Sequence, residues 1–146
     1  MDGPEQRSDL CREILTALPA WFGIEEAVQR YVREVADLPT FAVQRDGFLA
    51  LKLHTDAAAE VYVMGVRAER QRRGIGTALL ESAEAFLREH GVEYLQVKTL
   101  GPSHPSRNYA ATRRFYAARG FRPLEELTAI WGEENPCLIM VKRLEP

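Results

Sequence analysis

The sequence has little cysteine, no long apolar run and almost no excess charge, and each of these shortages excludes a class of protein. Cys11 and Cys137 are the two cysteines among 146 residues. They lie far apart and match no metal or redox spacing, so we expect neither a disulfide framework nor a metal site. No apolar run approaches the roughly 18 residues that a membrane span requires. The formal net charge of −2 argues against a general nucleic-acid binder, although local basic patches are compatible with it.

The N-terminal stretch "MDGPEQRSDL" lacks the basic-then-apolar pattern of a secretion signal, so we expect a cytoplasmic protein. Hydrophobic residues make up 46% of the chain and charged residues 27%, which is ordinary for a globular protein. We therefore expect one domain that covers residues 1–146 and is large enough to bury a core.

Helical periodicity comes before any strand pattern. The segment "SDLCREILTAL", with Ser8 or Asp9 as its N-cap, is predicted to form a first helix. The segment "IEEAVQRYVREVADL", which stops before Pro39, is predicted to form a second. The runs "TFAV" and "FLALKL" then flank Asp46 and Gly47, a pair that is typical of a tight hairpin.

The rest of the chain alternates between the two periodicities. "AEVYVMGV" and "YLQVKT" are predicted strands, and "GIGTALLESAEAFLREHG" and "YAATRRFYAARG" are predicted helices. "FRPLEELTAIW" and "PCLIMVKRL" are predicted to be two closing strands. The order, two helices, three strands, helix, strand, helix and two strands, implies a mixed sheet with helices on its faces.

The stretch "ERQRRGIGTALL", residues 69–80, combines glycine and arginine at the start of a predicted helix. Gly74 and Gly76 allow positive φ and close backbone approach, and the first helical N–H groups have no partner within the helix. These groups and the side chains of Arg70, Arg72 and Arg73 converge on one point, where an anion would be held. The alternative is a strand–helix turn with solvated arginines, and this stretch alone does not decide between the two.

The sequence excludes two common phosphate-binding motifs. A P-loop needs G-x-x-x-x-G-K-[ST], which does not occur. The dinucleotide fingerprint G-x-G-x-x-G fails at its third glycine, where Leu79 stands, and the connection from the strand is too long for it.

What remains is Q-x-x-G-x-G, formed by Gln71, Gly74 and Gly76 after a strand that ends in "MGV". It closely resembles the pyrophosphate-binding motif [QR]-x-x-G-x-[GA] of the GNAT superfamily of N-acetyltransferases. Downstream, "FYAARGF" is similar to the late helix of that family, in which Tyr-x-x-x-Gly-Phe leads into the next strand. The two motifs stand in the family's order, and the resemblance covers about residues 40–144. The N-terminal helices are similar to the family's variable substrate-side helices.

The resemblance implies an α/β (α+β) fold, with a mixed, mostly antiparallel twisted sheet flanked by about four helices. Few residues precede the first helix, so we expect the family's usual first strand to be missing. The implied activity is acetyl-CoA-dependent N-acetyl transfer to a primary amine of a small molecule or peptide, directly in a ternary complex. The alternative is a non-catalytic acyl-CoA-binding regulatory module.

The resemblance also implies how acetyl-CoA is held. The pyrophosphate is expected on the backbone of the glycine loop, and the pantetheine arm is expected to pair with the end of "VYVMGV" like an added strand. A main-chain N–H near Gly65 is expected to hydrogen-bond the thioester carbonyl as charge develops there. The cofactor-binding residues implied are Met64, Gly65, Val66, Gln71, Arg72, Arg73, Gly74, Ile75, Gly76, Thr77 and Tyr109.

Glu60 is the candidate general base. An alkyl amine with a pKa near ~10 is mostly protonated at neutral pH, so a base or a water relay assists the reaction. Glu60 stands eleven residues before Gln71, where the histone-acetylating branch of the family has its glutamate base. Strand alternation predicts that Glu60, Tyr62, Met64 and Val66 share one face. The alternative is a solvated glutamate at the edge of the sheet.

Tyr116 in "FYAARGF" matches the family's general-acid tyrosine, which assists departure of the thiol; the alternative is a tyrosine that packs beside Phe115. Tyr109, Thr112 and Tyr116 share a helical face by their spacing, so this face is expected to line the cofactor channel. Relatives often carry asparagine where this chain has Tyr109. Asn108 is one residue off, so we do not expect it to make the usual contact.

The sequence gives little information about the substrate that accepts the acetyl group. Candidate wall residues are Trp21, Phe22, Tyr31 and the segments "SHPS" and "AIWGEEN", with ordinary core packing as the alternative. A cationic amine would be attracted by Glu125, Glu126, Glu133 and Glu134, unless these only form a solvated face. His54 and His104 are weaker candidates for the base and are expected to be exposed. We expect a small-molecule or peptide amine as partner, no nucleic acid and no membrane, and leave a homodimer open.

Overall fold

The structure, a computed structural model, describes residues 3–19 and 21–146. Four helices and six strands follow the predicted order. The helices are α1 (Pro4–Thr16), α2 (Glu25–Val35), α3 (Ile75–Glu89) and α4 (Arg107–Ala118). The strands are β1 (Thr40–Val43), β2 (Gly47–Leu53), β3 (Ala58–Val66), β4 (Tyr94–Leu100), β5 (Arg122–Leu127) and β6 (Cys137–Arg143). A short 3-10 turn, Ala68–Arg70, lies between β3 and α3.

The strands form one sheet in the order β1-β2-β3-β4-β6-β5. All neighbouring strands are antiparallel except β3 and β4, which are parallel. This confirms the predicted mixed, mostly antiparallel sheet with four flanking helices. In the described part of the chain no strand precedes α1, as expected from the few residues before it.

Each face of the sheet buries its own apolar cluster. On one face α3 and α4 pack through residues such as Leu79, Leu87 and Tyr116. On the other face α1 and α2 pack through residues such as Ile14 and Val35. Side chains alternate between the two faces along each strand and so contribute to both clusters. Helices therefore cover both faces of the sheet.

Strand β3 contains a bulge at Tyr62. Leu51 of β2 lies opposite Val61, but its neighbour Ala50 lies opposite Val63, so Tyr62 has no partner in the register. One extra residue in a strand reverses the alternation of side chains beyond it.

The predicted common face of Glu60, Tyr62, Met64 and Val66 is therefore wrong. Tyr62 packs against the cluster beneath α1 and α2, and Glu60, two residues earlier, shares its side of the strand. Met64 and Val66 pack against the opposite cluster, beneath α3 and α4. The bulge separates the candidate base from the end of the strand on which the cofactor arm is expected.

The parallel pair β3 and β4 opens into a wedge. The two strands pair only from Ala58 to Val61, opposite Tyr94 to Val97, although β3 continues to Val66. The later residues of the two strands diverge, and we call the space between them the wedge. It positions the site described below.

Some predicted boundaries are wrong for reasons the structure shows. Helix α1 begins at Pro4, four residues before Ser8, so neither predicted cap is its N-cap. Ser8 Oγ instead donates to the Val32 carbonyl at 2.7 Å and ties α1 to α2. Strand β5 ends at Leu127 because the following residues turn, with the Gly132 N–H bonded to the Thr128 carbonyl. No helix among the described residues is long and apolar enough to cross a bilayer.

Candidate functional site

A cavity of about 710 Å³ occupies the wedge. One end of it meets the N-terminus of α3, and the other end meets the segment between α1 and α2. The inner wall is formed by α4, and β3 and β4 form its sides. Three layers of the fold therefore contribute to one site.

The N-terminus of α3 opens into the cavity without a side-chain cap. Gly74 is the N-cap and has a φ of +81°, a left-handed conformation that glycine adopts without strain. The first backbone bond of the helix runs from the Ala78 N–H to the Gly74 carbonyl. The N–H groups of Ile75, Gly76 and Thr77 precede it and have no acceptor within the helix. They form a site for an anion, reinforced by the helix dipole.

Gly76 is required by a close approach between α3 and α4. A Cβ on Gly76 would lie 2.9 Å from a ring carbon of Phe115. A side chain at this position would require the Phe115 ring to shift, so the motif's second glycine serves packing as well as access to the backbone.

Two polar side chains brace this loop. Gln71 Nε2 donates to the Val66 carbonyl at 3.0 Å and ties the loop to the end of β3. Arg119 Nε donates to Thr77 Oγ1 at 2.9 Å, and its guanidinium lies 4.3 Å from the centre of the Phe115 ring. Arg119 was not among the predicted site residues, although its position inside "FYAARGF" could have signalled a role.

Most of the predicted cofactor residues lie on the cavity wall. Those that do are Met64, Gly65, Val66, Gln71, Arg72, Gly74, Ile75, Gly76, Thr77 and Tyr109. Arg73 is exposed and does not line the cavity. Asn108, for which no contact was expected, does line it. Arg70, Arg114 and Arg119 add positive charge to the same wall.

Tyr116 both packs and lines the cavity. Its ring contacts those of Phe115 and Phe121, each with centroids 5.3 Å apart, and the residue is 4% exposed. Burial raises the pKa of Tyr116 far above its usual value, so the hydroxyl keeps its proton at neutral pH. Thr99 of β4 lines the same cavity, and within the described chain its buried hydroxyl has no hydrogen-bond partner.

Glu60 lies at the closed end of the wedge and is 5% exposed. Its Oε1 accepts from Lys98 Nζ at 3.0 Å and lies 2.7 Å from His54 Nε2. The interpretation of Glu60 as a solvated edge residue is wrong, because β3 is an inner strand. Lys98 and Tyr62 line the cavity, whereas Glu60 lies behind them.

His54 and Lys98 complete a cluster that sequence reasoning did not assemble. His54 is exposed, as expected, with 37% of its side chain accessible, but it is also bonded to Glu60. Lys98 was not singled out. Its only signal was that it is the one charged residue in the stretch "YLQVKTL".

The end of the cavity away from α3 is aromatic. Tyr31 lies between Phe22 and Tyr62, with ring centroids 6.1 and 5.1 Å apart and edge-to-face geometry. Tyr109 Oη donates to the Trp21 carbonyl at 2.7 Å and so links α4 to the α1–α2 segment. Burial raises the pKa values of Tyr31 and Tyr109. The predicted wall residues Trp21, Phe22 and Tyr31 all line the cavity, as does Trp131 of "AIWGEEN".

The predicted acidic acceptor site is not assembled. None of Glu125, Glu126, Glu133 and Glu134 lines the cavity. Glu126 instead accepts hydrogen bonds from the Ser103 hydroxyl and N–H, which lower its pKa. His104 Nδ1 accepts the Ser106 N–H at 3.2 Å and lies outside the cavity wall, as does the rest of "SHPS".

Comparison with solved structures shows the same fold in known proteins. The chain is similar to a protein from Desulfovibrio desulfuricans assigned to the GNAT family of acetyltransferases, with 24% identity, a TM-score of 0.79 and coverage of 96% of this chain and 94% of that one. An aminoglycoside 6'-N-acetyltransferase in complex with coenzyme A matches with 17% identity, a TM-score of 0.72 and coverage of 95% and 91%.

A GNAT family acetyltransferase from Elizabethkingia anophelis with acetyl-CoA bound matches with 15% identity, a TM-score of 0.65 and coverage of 87% and 88%. No curated protein matches the sequence significantly. The model of the acetyltransferase (GNAT) domain family matches residues 29–123, which is more than half of the chain and includes the glycine loop, the wedge and α4. The chain belongs to the GNAT family of acetyltransferases.

Proposed function

We propose that this acetyltransferase moves the acetyl group of acetyl-CoA directly to a primary amine of a small molecule or peptide, within a ternary complex and as a single domain. The observation that carries the proposal is the wedge between β3 and β4, which connects the uncapped N-terminus of α3 with the aromatic end of the same cavity. Such a cavity admits two substrates from opposite ends.

The α3 end of the cavity suits acetyl-CoA. Two of the matched structures contain coenzyme A or acetyl-CoA. Here the N–H groups from Ile75 to Thr77 would hold the pyrophosphate, with Arg72 and Arg119 adding charge. The stretch of β3 from Tyr62 to Val66 is unpaired on the side of β4, where it offers backbone groups to the amides of the pantetheine arm. The thioester then reaches the closed end of the wedge.

Tyr116 is positioned to stabilise the leaving thiolate by a hydrogen bond. The amine nitrogen bonds to the acetyl carbon, the carbon–sulfur bond breaks, and negative charge moves to sulfur. A thiol has a pKa near ~8.5, below that of a buried tyrosine, so hydrogen bonding by Tyr116 stabilises the sulfur more readily than full proton transfer. The main-chain N–H near Gly65 would stabilise the oxyanion.

Glu60 suits removal of the amine's proton through a water. The residue is held by Lys98 and His54, and His54 is partly exposed. A proton accepted by Glu60 would therefore have a route to solvent through the imidazole.

Release of free thiol from acetyl-CoA in the presence of an amine panel tests the proposal. Turnover that depends on an amine, with the acetylated amine identified by mass spectrometry, supports it. Saturable coenzyme A binding without turnover on any amine would contradict it and favour a non-catalytic acyl-CoA-binding module.

A further inference from the structure

The aromatic end of the cavity differs in charge from the α3 end. We call it the acceptor pocket. It is formed by Trp21, Phe22, Tyr31, Tyr62, Lys98 and Trp131. Among the described residues, no carboxylate lines the cavity. Apart from its tyrosines, the acceptor pocket has one ionisable side chain among the described residues, that of Lys98. The arginines of the wall are Arg70 and Arg72, which precede α3, and Arg114 and Arg119, in α4 and at its C-cap.

Lys98 has hydrogen-bonding capacity to spare. An ammonium group has three N–H donors, and one of them is used by Glu60 Oε1 at 3.0 Å. The Lys98 side chain is 28% exposed, whereas that of Glu60 is 6% exposed. A ligand that displaces water from the pocket would leave the other donors unsatisfied unless it supplies an acceptor. A carboxylate supplies the strongest one, because both partners are then charged.

The remaining walls of the pocket are suited to an apolar body. The rings of Phe22, Tyr31 and Tyr62 meet edge to face, and their position is held by the Tyr109 hydroxyl on the Trp21 carbonyl. Pockets of this kind gain affinity from burying an aromatic or branched aliphatic group. A polycationic acceptor such as a polyamine finds no anion on these walls and meets Lys98.

We propose that the acceptor is a free aromatic or large apolar α-amino acid, whose carboxylate is bound by Lys98 and whose side chain fills the acceptor pocket. This rests on the proposed function. Glu60 holds Lys98 in position at 3.0 Å, so Lys98 acts as a specificity residue. The ammonium group loses one proton to solvent by way of Glu60 and His54, and its nitrogen forms the new bond to the acetyl carbon as the carbon–sulfur bond breaks. The nitrogen loses a second proton as the amide forms, and the thiolate takes up a proton, so coenzyme A leaves as the thiol.

Matched acceptors separate the two parts of the proposal. With acetyl-CoA as donor, kcat/KM is measured for phenylalanine, phenylalaninamide, phenethylamine, alanine and spermidine. Phenylalanine is expected to exceed phenylalaninamide and phenethylamine by about tenfold or more, a difference of about 1.4 kcal/mol, and to exceed alanine by a similar factor. An equal or higher value for either carboxylate-free analogue, for alanine or for spermidine would overturn the proposal while leaving N-acetyl transfer intact.

The variant Lys98→Met tests the assignment of the carboxylate. It is expected to bring the ratio of phenylalanine to phenethylamine close to one, mainly through the KM for phenylalanine. Lys142→Met is the matched control, because Lys142 also bonds a buried glutamate, Glu84, at 2.9 Å and lies outside the cavity wall. It is expected to keep the wild-type ratio. A preference for phenylalanine that survives in the Lys98→Met variant would refute the role of Lys98.

A binding measurement covers the case in which the Lys98→Met variant folds but does not turn over. The chain has two tryptophans, Trp21 and Trp131, and both line the acceptor pocket. Their fluorescence is titrated with phenylalanine and with phenethylamine in the coenzyme A complex. Tighter binding of phenylalanine in the wild type, lost in Lys98→Met, supports the proposal, and equal affinities in the wild type contradict it. Failure of every amine to react overturns the proposed function itself.

Discussion

Lys98 Nζ lies 3.0 Å from Glu60 Oε1, and this ion pair joins β4 to β3 at the point where the two strands stop pairing. Both charges are largely withdrawn from water. Removing one partner of such a pair leaves the other as an uncompensated buried charge, which destabilises the fold. The intact pair, with its further contact to His54, does not carry this cost. The pair therefore closes the wedge, and Lys98 lies between the acceptor pocket and the candidate base Glu60.

Replacing Glu60 with glutamine is expected to lower kcat/KM at neutral pH by about a hundredfold, the lower range for loss of a general base. The acidic limb of the pH–rate profile should move to higher pH, since deprotonation then depends on the amine itself. Glu84→Gln is the control, because Glu84 is equally buried and bonded to a lysine, Lys142, at 2.9 Å, but outside the cavity wall. An unmoved limb in Glu60→Gln would show that Glu60 is not the base.

Replacing Tyr116 with phenylalanine is expected to reduce kcat by about ten- to a hundredfold with little change in the KM for acetyl-CoA. This corresponds to a hydrogen bond to a charged group, worth roughly 1.5–3 kcal/mol. Steady-state kinetics check it, with Tyr94→Phe as control because Tyr94 is 44% exposed and lies outside the cavity wall. Full turnover by Tyr116→Phe would leave this tyrosine only its packing role.

Alanine at Gly76 is expected to weaken coenzyme A binding by about tenfold. Its Cβ would lie 2.9 Å from the Phe115 ring, and overpacking of this kind costs about 1–3 kcal/mol, here by displacing the first turn of α3. Isothermal titration measures the affinity. The double variant Gly76→Ala, Phe115→Leu should recover part of it, and Gly3→Ala, where nothing lies within 4 Å, should bind normally. Wild-type affinity in Gly76→Ala would show that the Phe115 ring moves aside for a methyl group, whereas wild-type affinity in Gly76→Glu would contradict the loop as the pyrophosphate site.

The free energy of unfolding is expected to fall at alkaline pH. Burial raises the pKa of Tyr116 above that of an unfolded tyrosine, about 10. Below pH 10 both states keep the Tyr116 proton, so this residue does not change the stability there. Above it the unfolded state loses the proton first, and the stability contributed by the buried hydroxyl is lost as pH rises toward the folded pKa, by roughly 1.4 kcal/mol per pH unit.

Urea unfolding between pH 8 and pH 11 measures this slope. Tyr116→Phe should reduce the slope above pH 10 and leave the part due to Cys11, Tyr31 and Tyr109, whose pKa values burial also raises. Exposed Tyr94→Phe should leave the slope unchanged. Equal slopes for wild type and Tyr116→Phe would mean that Tyr116 does not ionise during alkaline unfolding.

The order of helices and strands could be predicted because each periodicity is a local property of the chain. The caps of α1 could not, since Ser8 bonds across to Val32 of α2 rather than to its own helix. The face on which Glu60 lies was predicted correctly relative to Tyr62 and wrongly relative to Met64. The bulge that reverses the alternation arises from the pairing with β2, which no local pattern contains.

The sequence by itself determined the elements, the two glycines at the start of α3 and the family, because these depend on neighbouring residues or on motifs in a single stretch. Only the tertiary structure decided that Lys98 and His54 meet at Glu60 and that Trp21 is tied to Tyr109 across 88 positions. It also decided that the acidic candidates stay outside the cavity. Such contacts follow from how strands pair and helices pack, and the energies of many distant residues set them together.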